Sequence, residues 1–416
     1  MTREMKDSGI AWIGEIPASW KCVKLGFLYS FSSGDTLTAQ DFVDNGEYKV
    51  FGANGERGHY DKYNVDGKHI LIGRVGALCG NIHLINEAVW VTEHALVSYS
   101  FSPLINDEFS AYLLMAMNLG QYSSGTAQPV ISADKIRRLS IPLPELEEQE
   151  KIVLLLDKEC ARIDAVIEQT RTSIEEYKKL KQAVITQAVT KGIRPNRPMK
   201  DSGENWLKAI PCDWEMVRGK GLFSEINARS EDGSEELLTV SQYTGVTPRS
   251  QKNVNMFEAE TLEGYKICEI GDIAANTMWL WAGAIGVSQY RGVISPSYNI
   301  YRQTSGAYLN QYLDYLLRVT PLVQHYESLS TGIRASRLRL YPEQFLSIRF
   351  PVPPMDEQKE IVDYLASKII EMDNLIIKKE TFLTEMESYK KSLIFEYVTG
   401  KKEVNNALHR YHRKAV

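Results

Sequence analysis

From Leu156 onward the chain places side chains at alternating steps of four and three: Leu156, Cys160, Ile163, Ile167, Thr170, Ile174, Tyr177, Lys181, Val184 and Ala188. Eight of these ten are apolar. Adding 209 to each number gives Leu365, Ile369, Met372, Ile376, Lys379, Leu383, Met386, Lys390, Leu393 and Tyr397, again with eight of ten apolar. A seam with a mean step of 3.5 residues, sustained over about five heptads, predicts a long helix packed on a second helix along one stripe. The polar exceptions include Lys181 and Lys390 at the same place in both copies. Neither stretch contains Gly or Pro before Gly192 and Gly400. Forty helical residues span roughly 60 Å at 1.5 Å per residue. A lone helix of that length with one apolar stripe is poorly stable in water. The two are therefore expected to pack on each other, antiparallel, because a globular block separates them. The competing reading makes each one the core helix of its own domain.

Upstream of each helix the pattern changes to short β-type runs broken by Gly, Asn and Asp. The first block has Tyr48–Phe51, His69–Ile72, Val89–Val91 and Leu96–Tyr99; the second has Leu237–Val240, Ile285–Val287 and Asn299–Tyr301. A short helix is expected near 108–119, with a counterpart at 308–317. The expected fold class is α+β: two globular domains, each followed by a long helix. The expected boundaries are 1–144, 145–194, 195–353 and 354–400, with a basic tail at 401–416.

The frame of the chain is written twice. Met5–Lys24 reads MKDSGIAWIGEIPASWKCVK and Met199–Arg218 reads MKDSGENWLKAIPCDWEMVR, with ten of twenty positions identical. At the helix starts, Ile141–Val153 reads IPLPELEEQEKIV and Phe350–Val362 reads FPVPPMDEQKEIV. Proline fixes an extended entry to each helix. Acids then fill the first turn, where they suit the helix dipole. The intervening blocks, at about 28–138 and 222–346, do not align by eye. A repeated frame with different filling predicts an internal pseudo-twofold.

Composition narrows the function. Forty-four per cent of the residues are hydrophobic and 24% charged, as in a globular protein. No apolar run reaches the length of a membrane span. Met1–Ser8 is polar, unlike a secretory signal, so a cytoplasmic protein is expected. Five scattered cysteines form no CxxC pair, which points to neither a zinc site nor a disulfide framework. The net charge of −5 does not suit a chain that coats nucleic acid indiscriminately; positive charge for DNA would have to be local.

Base readout needs donors and acceptors on exposed loops, with cations nearby for phosphates. In the first block the candidates are Asn54 and Arg57 in Phe51–Arg57, Arg74 in Gly73–Gly76, Thr126 and Gln128 in Gly125–Gln128, and then Arg137 and Arg138. In the second they are Arg249, Asn276, and the run Thr331–Arg339 with Arg334, Arg337 and Arg339. Any one of these could instead be an ordinary loop charge. Trp12, Trp20, Trp206 and Trp214 read as core. The glycines Gly52, Gly55 and Gly58 lack the strand-and-helix setting of a dinucleotide loop and read as a turn.

Catalytic signatures are missing from the sequence. There is no glycine-rich methyl-donor loop, no Asn-Pro-Pro-aromatic motif, no phosphate loop of the form Gly-x-x-x-x-Gly-Lys-Ser/Thr and no clear nuclease cluster. His94 stands alone. No catalytic residue and no metal ligand is expected, and no cofactor bound by this chain.

The Trp12–Trp20 and Trp206–Trp214 pattern W-x-x-x-I-P-x-x-W, the Ile141–Gln149 and Pro351–Gln358 lead-ins, and the helix ends Ala188–Gly192 and Tyr397–Gly400 resemble DNA-specificity subunits of Type I restriction-modification systems. The resemblance covers nearly the whole chain. A mild departure lies at Thr186-Gln187-Ala188, where the family more often has Glu before Ala-Val-Thr. The resemblance implies a non-catalytic partner of double-stranded DNA. Each block would be a target-recognition domain for one half of a split, asymmetric sequence. The helices would set the gap and dock two copies of a modification subunit. That subunit would use S-adenosylmethionine to methylate adenine, and a restriction subunit would use ATP and Mg to translocate and cut DNA. The rival readings are a free-standing enzyme and a coiled-coil scaffold for other proteins.

Overall fold

The computed structural model describes residues 3–125, 128–252, 261–332 and 338–404. It divides into two compact units, residues 1–171 with 381–416, and residues 172–380. The division falls within both long helices, Leu146–Lys191 and Met355–Val398. Each unit therefore holds one globular block with a stretch of each helix.

The two units are built alike. Each opens with a signature hairpin, Met5–Ile10 on Gly14–Pro17 in one and Met199–Glu204 on Leu207–Pro211 in the other. The following strand, Lys21–Lys24 or Glu215–Arg218, pairs antiparallel with the last strand of the block, Ser140–Leu143 or Arg349–Val352. This pairing returns the chain to the block's starting point just before the long helix begins. Between them lies a four-stranded antiparallel sheet. Its order in the first unit is Tyr29–Ser33, Ala95–Ser100, Lys68–Gly73, Ile82–Asn86. In the second it is Phe223–Ile226, Asn299–Gln303, Ile273–Ala275, Ile285–Val287. Blocks that do not align in sequence thus share a strand order.

The main core of each unit joins the sheet, the covering helix (Asp107–Met117 or Asn310–Leu317), the signature hairpin and the long helices. Trp20 and Trp214 are fully buried there, as the sequence reading expects, and Trp12 and Trp206 pack at its edge. The two buried indoles also pin the helix starts. Trp20 Nε1 donates to Glu148 at 2.8 Å, and Trp214 Nε1 to Glu357 at 2.9 Å. Arg3 and Arg197 ion-pair with the same two acids. The next residue, Gln149 or Gln358, is buried and ties the first turn to the block. Gln149 Oε1 accepts from the Asn106 amide, and Gln358 Oε1 from the Leu309 amide.

None of the twenty seam positions is exposed. In the first unit Arg171 pairs with Glu387 and Lys390 with Asp164. In the second Lys181 pairs with Asp373, and the Lys379 ammonium lies 5.5 Å over the Tyr177 ring. Numbers rise on one helix as they fall on the other, so the packing in each unit is antiparallel. The helices end alike at Gly192 (φ +75°) and Gly400 (φ +70°), in the left-handed conformation that glycine adopts without strain. A Cβ at Gly400 would lie 2.5 Å from the Pro17 ring; one at Gly192 would lie 2.6 Å from Arg197 and 3.5 Å from Trp214. The signature hairpin of each unit thus meets a helix end.

Candidate nucleic-acid interface

In the first unit, loops distant in sequence meet at one end of the sheet. Tyr48–Gly52 and Gly55–Tyr60 form a hairpin around Ala53 and Asn54. The turn expected at Gly52 and Gly55 is there, but Gly58, also read as turn, lies within a strand. The Phe51 carbonyl accepts from the Thr92 amide at 2.8 Å, which ties the hairpin to the segment before Ala95. Gly73 ends a central strand against the hairpin turn: a Cβ there would lie 2.3 Å from the Ala53 carbonyl. Arg74 follows. Its amide donates to the His94 carbonyl, its carbonyl accepts from the Ile131 amide, and its Nη1 donates to Ser33 Oγ at 3.2 Å. The 51–57 and 73–76 stretches singled out in the sequence are therefore neighbours, and Pro129–Ile131, just past the candidate Gln128, lies against the second of them.

Polar groups without partners gather at this end. Arg74 Nε, His83 Nε2, Thr92 Oγ1 and Glu93 Oε2 are buried and have no hydrogen-bond partner among the described residues. Burying a polar atom without a partner costs about 1–3 kcal/mol, and such atoms mark a surface that a ligand or water completes. Burial pushes the His83 imidazole below its usual pKa, which favours the neutral ring. Arg57 is exposed; its stem crosses Gly52, and its guanidinium makes no bond among the described residues. Gln128 is exposed. Arg137 and Arg138 close a short helix, Ala133–Arg137, whose end packs against Gly26 rather than against this cluster. Thr126 lies outside the described residues. Asn81, His83 and Glu93 were not singled out in the sequence, because only the strand ends bring them to the hairpin.

In the second unit the equivalent loop, 276–284, carries a different surface. Asn276 is only 5% exposed. Its Oδ1 accepts from the Met278 amide and its Nδ2 donates to Tyr298 Oη. This corrects its reading as a base contact: the amide is consumed in building the loop. What the loop presents instead is Trp279, 51% exposed and stacked on Trp281 with centroids 5.7 Å apart. Arg249 is half-buried, and its charge acts on Tyr298, the partner of Asn276. Arg339 is bridged to Thr331 through two backbone hydrogen bonds of 2.9 Å. Arg334 and Arg337 lie outside the described residues. Among the described residues no cluster of His, Cys, Asp and Glu could hold a metal, and no helix is long and apolar enough to cross a membrane.

The two surfaces lie at the same end of equivalent sheets, yet one is amide- and arginine-rich and the other aromatic. Residues 17–176 match the Type I restriction modification DNA specificity domain. The chain is 37% identical over 151 residues to the Type I restriction enzyme EcoprrI specificity subunit of Escherichia coli, a stretch covering 35% of this chain and 37% of that one. It is 25% identical over 354 residues to the MjaVIII specificity subunit of Methanocaldococcus jannaschii, covering 81% and 77%. The fold matches a solved chain of a type I restriction-modification system with a TM-score of 0.68 at 16% identity, over 93% of this chain and 99% of that one. It also matches the HsdS subunit from Thermoanaerobacter tengcongensis at 0.50 and 16% identity, over 93% and 98%. Over residues 17–176 the chain thus matches the DNA specificity domain of Type I restriction-modification systems, and over most of its length it is similar to their specificity subunits.

Proposed function

We propose that this chain is the sequence-reading subunit of a cytoplasmic complex that modifies and restricts DNA, and that it performs no catalysis. Each globular block reads one half of a split, asymmetric double-stranded target. The long helices set the gap between the halves and dock two copies of a modification subunit. That subunit supplies S-adenosylmethionine chemistry at adenine, and a restriction subunit supplies ATP- and Mg-dependent cleavage.

One observation carries this reading: two sheets of identical strand order present unlike polar and aromatic surfaces at the same strand ends. A repeated frame supports repeated docking, and unlike loops support unlike half-sites. The overall negative charge is compatible with it, because positioning on phosphate is shared with partners and base reading is local.

The test is single-molecule methylation sequencing of a host genome with and without the gene. Loss of one split, adenine-methylated motif on deletion is the expected result. Exchange of residues 28–138 for the block of a relative should then change one half of the motif only. A scaffold would change its protein partners and leave the methylated sequence as it was.

A further inference from the structure

The hairpin tip of the first unit holds two side-chain amides in contact. Asn81 Nδ2 donates to Asn54 Oδ1 at 3.1 Å, in an exposed bond. That bond uses one end of each amide. The other ends, Asn54 Nδ2 and Asn81 Oδ1, have no partner among the described residues. The pair therefore offers one donor group and one acceptor, on either side of the shared bond.

The backbone holds both residues in place. Asn54 sits in the two-residue turn between the paired Gly52 and Gly55, and Gly55 has φ +97°. The Asn81 carbonyl accepts from the Gly73 amide at 2.8 Å, and its amide donates to the Leu78 carbonyl at 3.2 Å. Only a glycine at 73 lets that strand end abut the hairpin turn. The Arg57 guanidinium, unbonded, stands on the same hairpin.

A donor and an acceptor flanking one shared bond offer the complement of one base edge in the major groove. Adenine presents the N7 acceptor and the N6 amine donor together, whereas guanine presents two acceptors. We propose that the Asn54–Asn81 pair is the adenine-reading element of the first domain, with Asn54 Nδ2 donating to N7 and Asn81 Oδ1 accepting from the N6 amine. The assignment rests on the DNA-specificity reading above and names the base and the two side chains within it.

The test uses the full chain, expressed in cells with its modification partner, and reads the methylated motif. Asn54→Ala removes the donor. Discrimination at one adenine of one half-site should fall roughly ten- to a hundredfold, with the other half-site unchanged. Asn54→Asp keeps the oxygen that Asn81 bonds, so the fold is preserved, but it replaces the donor by an acceptor. Preference at the same position should move from adenine toward cytosine, whose N4 amine suits a carboxylate. On synthetic duplexes, 7-deazaadenine at that position should weaken wild-type binding and have little further effect on Asn54→Ala. The assignment is overturned if both variants direct the wild-type motif. It is equally overturned if both melt like the wild type yet lose methylation at all positions alike. If the wild-type chain directs no split motif, the DNA reading itself falls and takes this assignment with it.

Discussion

Lys181 Nζ lies 2.6 Å from Asp373 Oδ1. The mates of these residues at an offset of 209, Lys390 and Asp164, are 2.7 Å apart with the roles of the helices exchanged. Each lysine occupies a mostly apolar seam and reaches an acid on the other helix. Opposite charges in these places favour an antiparallel register. All four side chains are 25–55% exposed, so each pair contributes only about 0.2–1 kcal/mol. Lys181→Ala should therefore barely move the melting temperature. Lys181→Glu puts like charges together and should lower it clearly, and adding Asp373→Lys should restore it. A double mutant no more stable than Lys181→Glu alone would refute direct pairing.

The two helix starts carry the same triad but bury it differently. Glu357 is 0% exposed, while Glu148 is 30% exposed. Removing Arg197 strands a buried carboxylate, which costs about 3–5 kcal/mol; removing Arg3 should cost well under that. Urea denaturation of Arg3→Ala and Arg197→Ala should show this asymmetry. Equal losses would mean that Glu357 is hydrated in solution.

Trp279 and Asn276 share a loop but should separate on mutation. Trp279 is half exposed, so Trp279→Ala should change stability by no more than about 0.5 kcal/mol. It should weaken or alter recognition of the second half-site alone. Asn276→Ala removes a buried amide that bonds Met278 and Tyr298, and should cost about 1–3 kcal/mol. Thermal melts and the methylated motif of each variant measure both effects.

Inserting one heptad at matched positions in both long helices keeps the seam in phase. Seven residues add about 10.5 Å. The gap between half-sites should lengthen, by at most about three base pairs at 3.4 Å each, with both half-sites unchanged. An unaltered gap in the methylated motif would show that the helices do not set it.

The long helices were legible because their seam repeats a single period, and no seam residue proved exposed. The strand Gly55–Tyr60 was not legible, because GERGHY lacks β-branched residues; its pairing with Tyr48–Gly52 makes it a strand. For the site, the sequence supplied loops but not their neighbours. Asn54 was singled out, yet its partner Asn81 is 27 residues away and is brought close only by the Gly73 strand end. Asn276 shows the reverse: an amide beside a turn looks available until Tyr298, 22 residues on, takes its amine. Local patterns report which side chains are polar, and only the folded strand ends decide which are already spent.

Gly192 meets the signature hairpin that follows it a few residues later, while Gly400 meets the equivalent hairpin near the front of the chain, against Pro17 and Trp20. The same joint is thus covalent once and non-covalent once. A gene cut near codons 193–198 and rejoined through a linker from residue 404 to residue 3 would encode the same two joints with their roles exchanged. On the function proposed above, block order along the gene is then free to change without changing which half-site is paired with which, and exchanging whole blocks at the repeated frame would give new specificities without remodelling the fold.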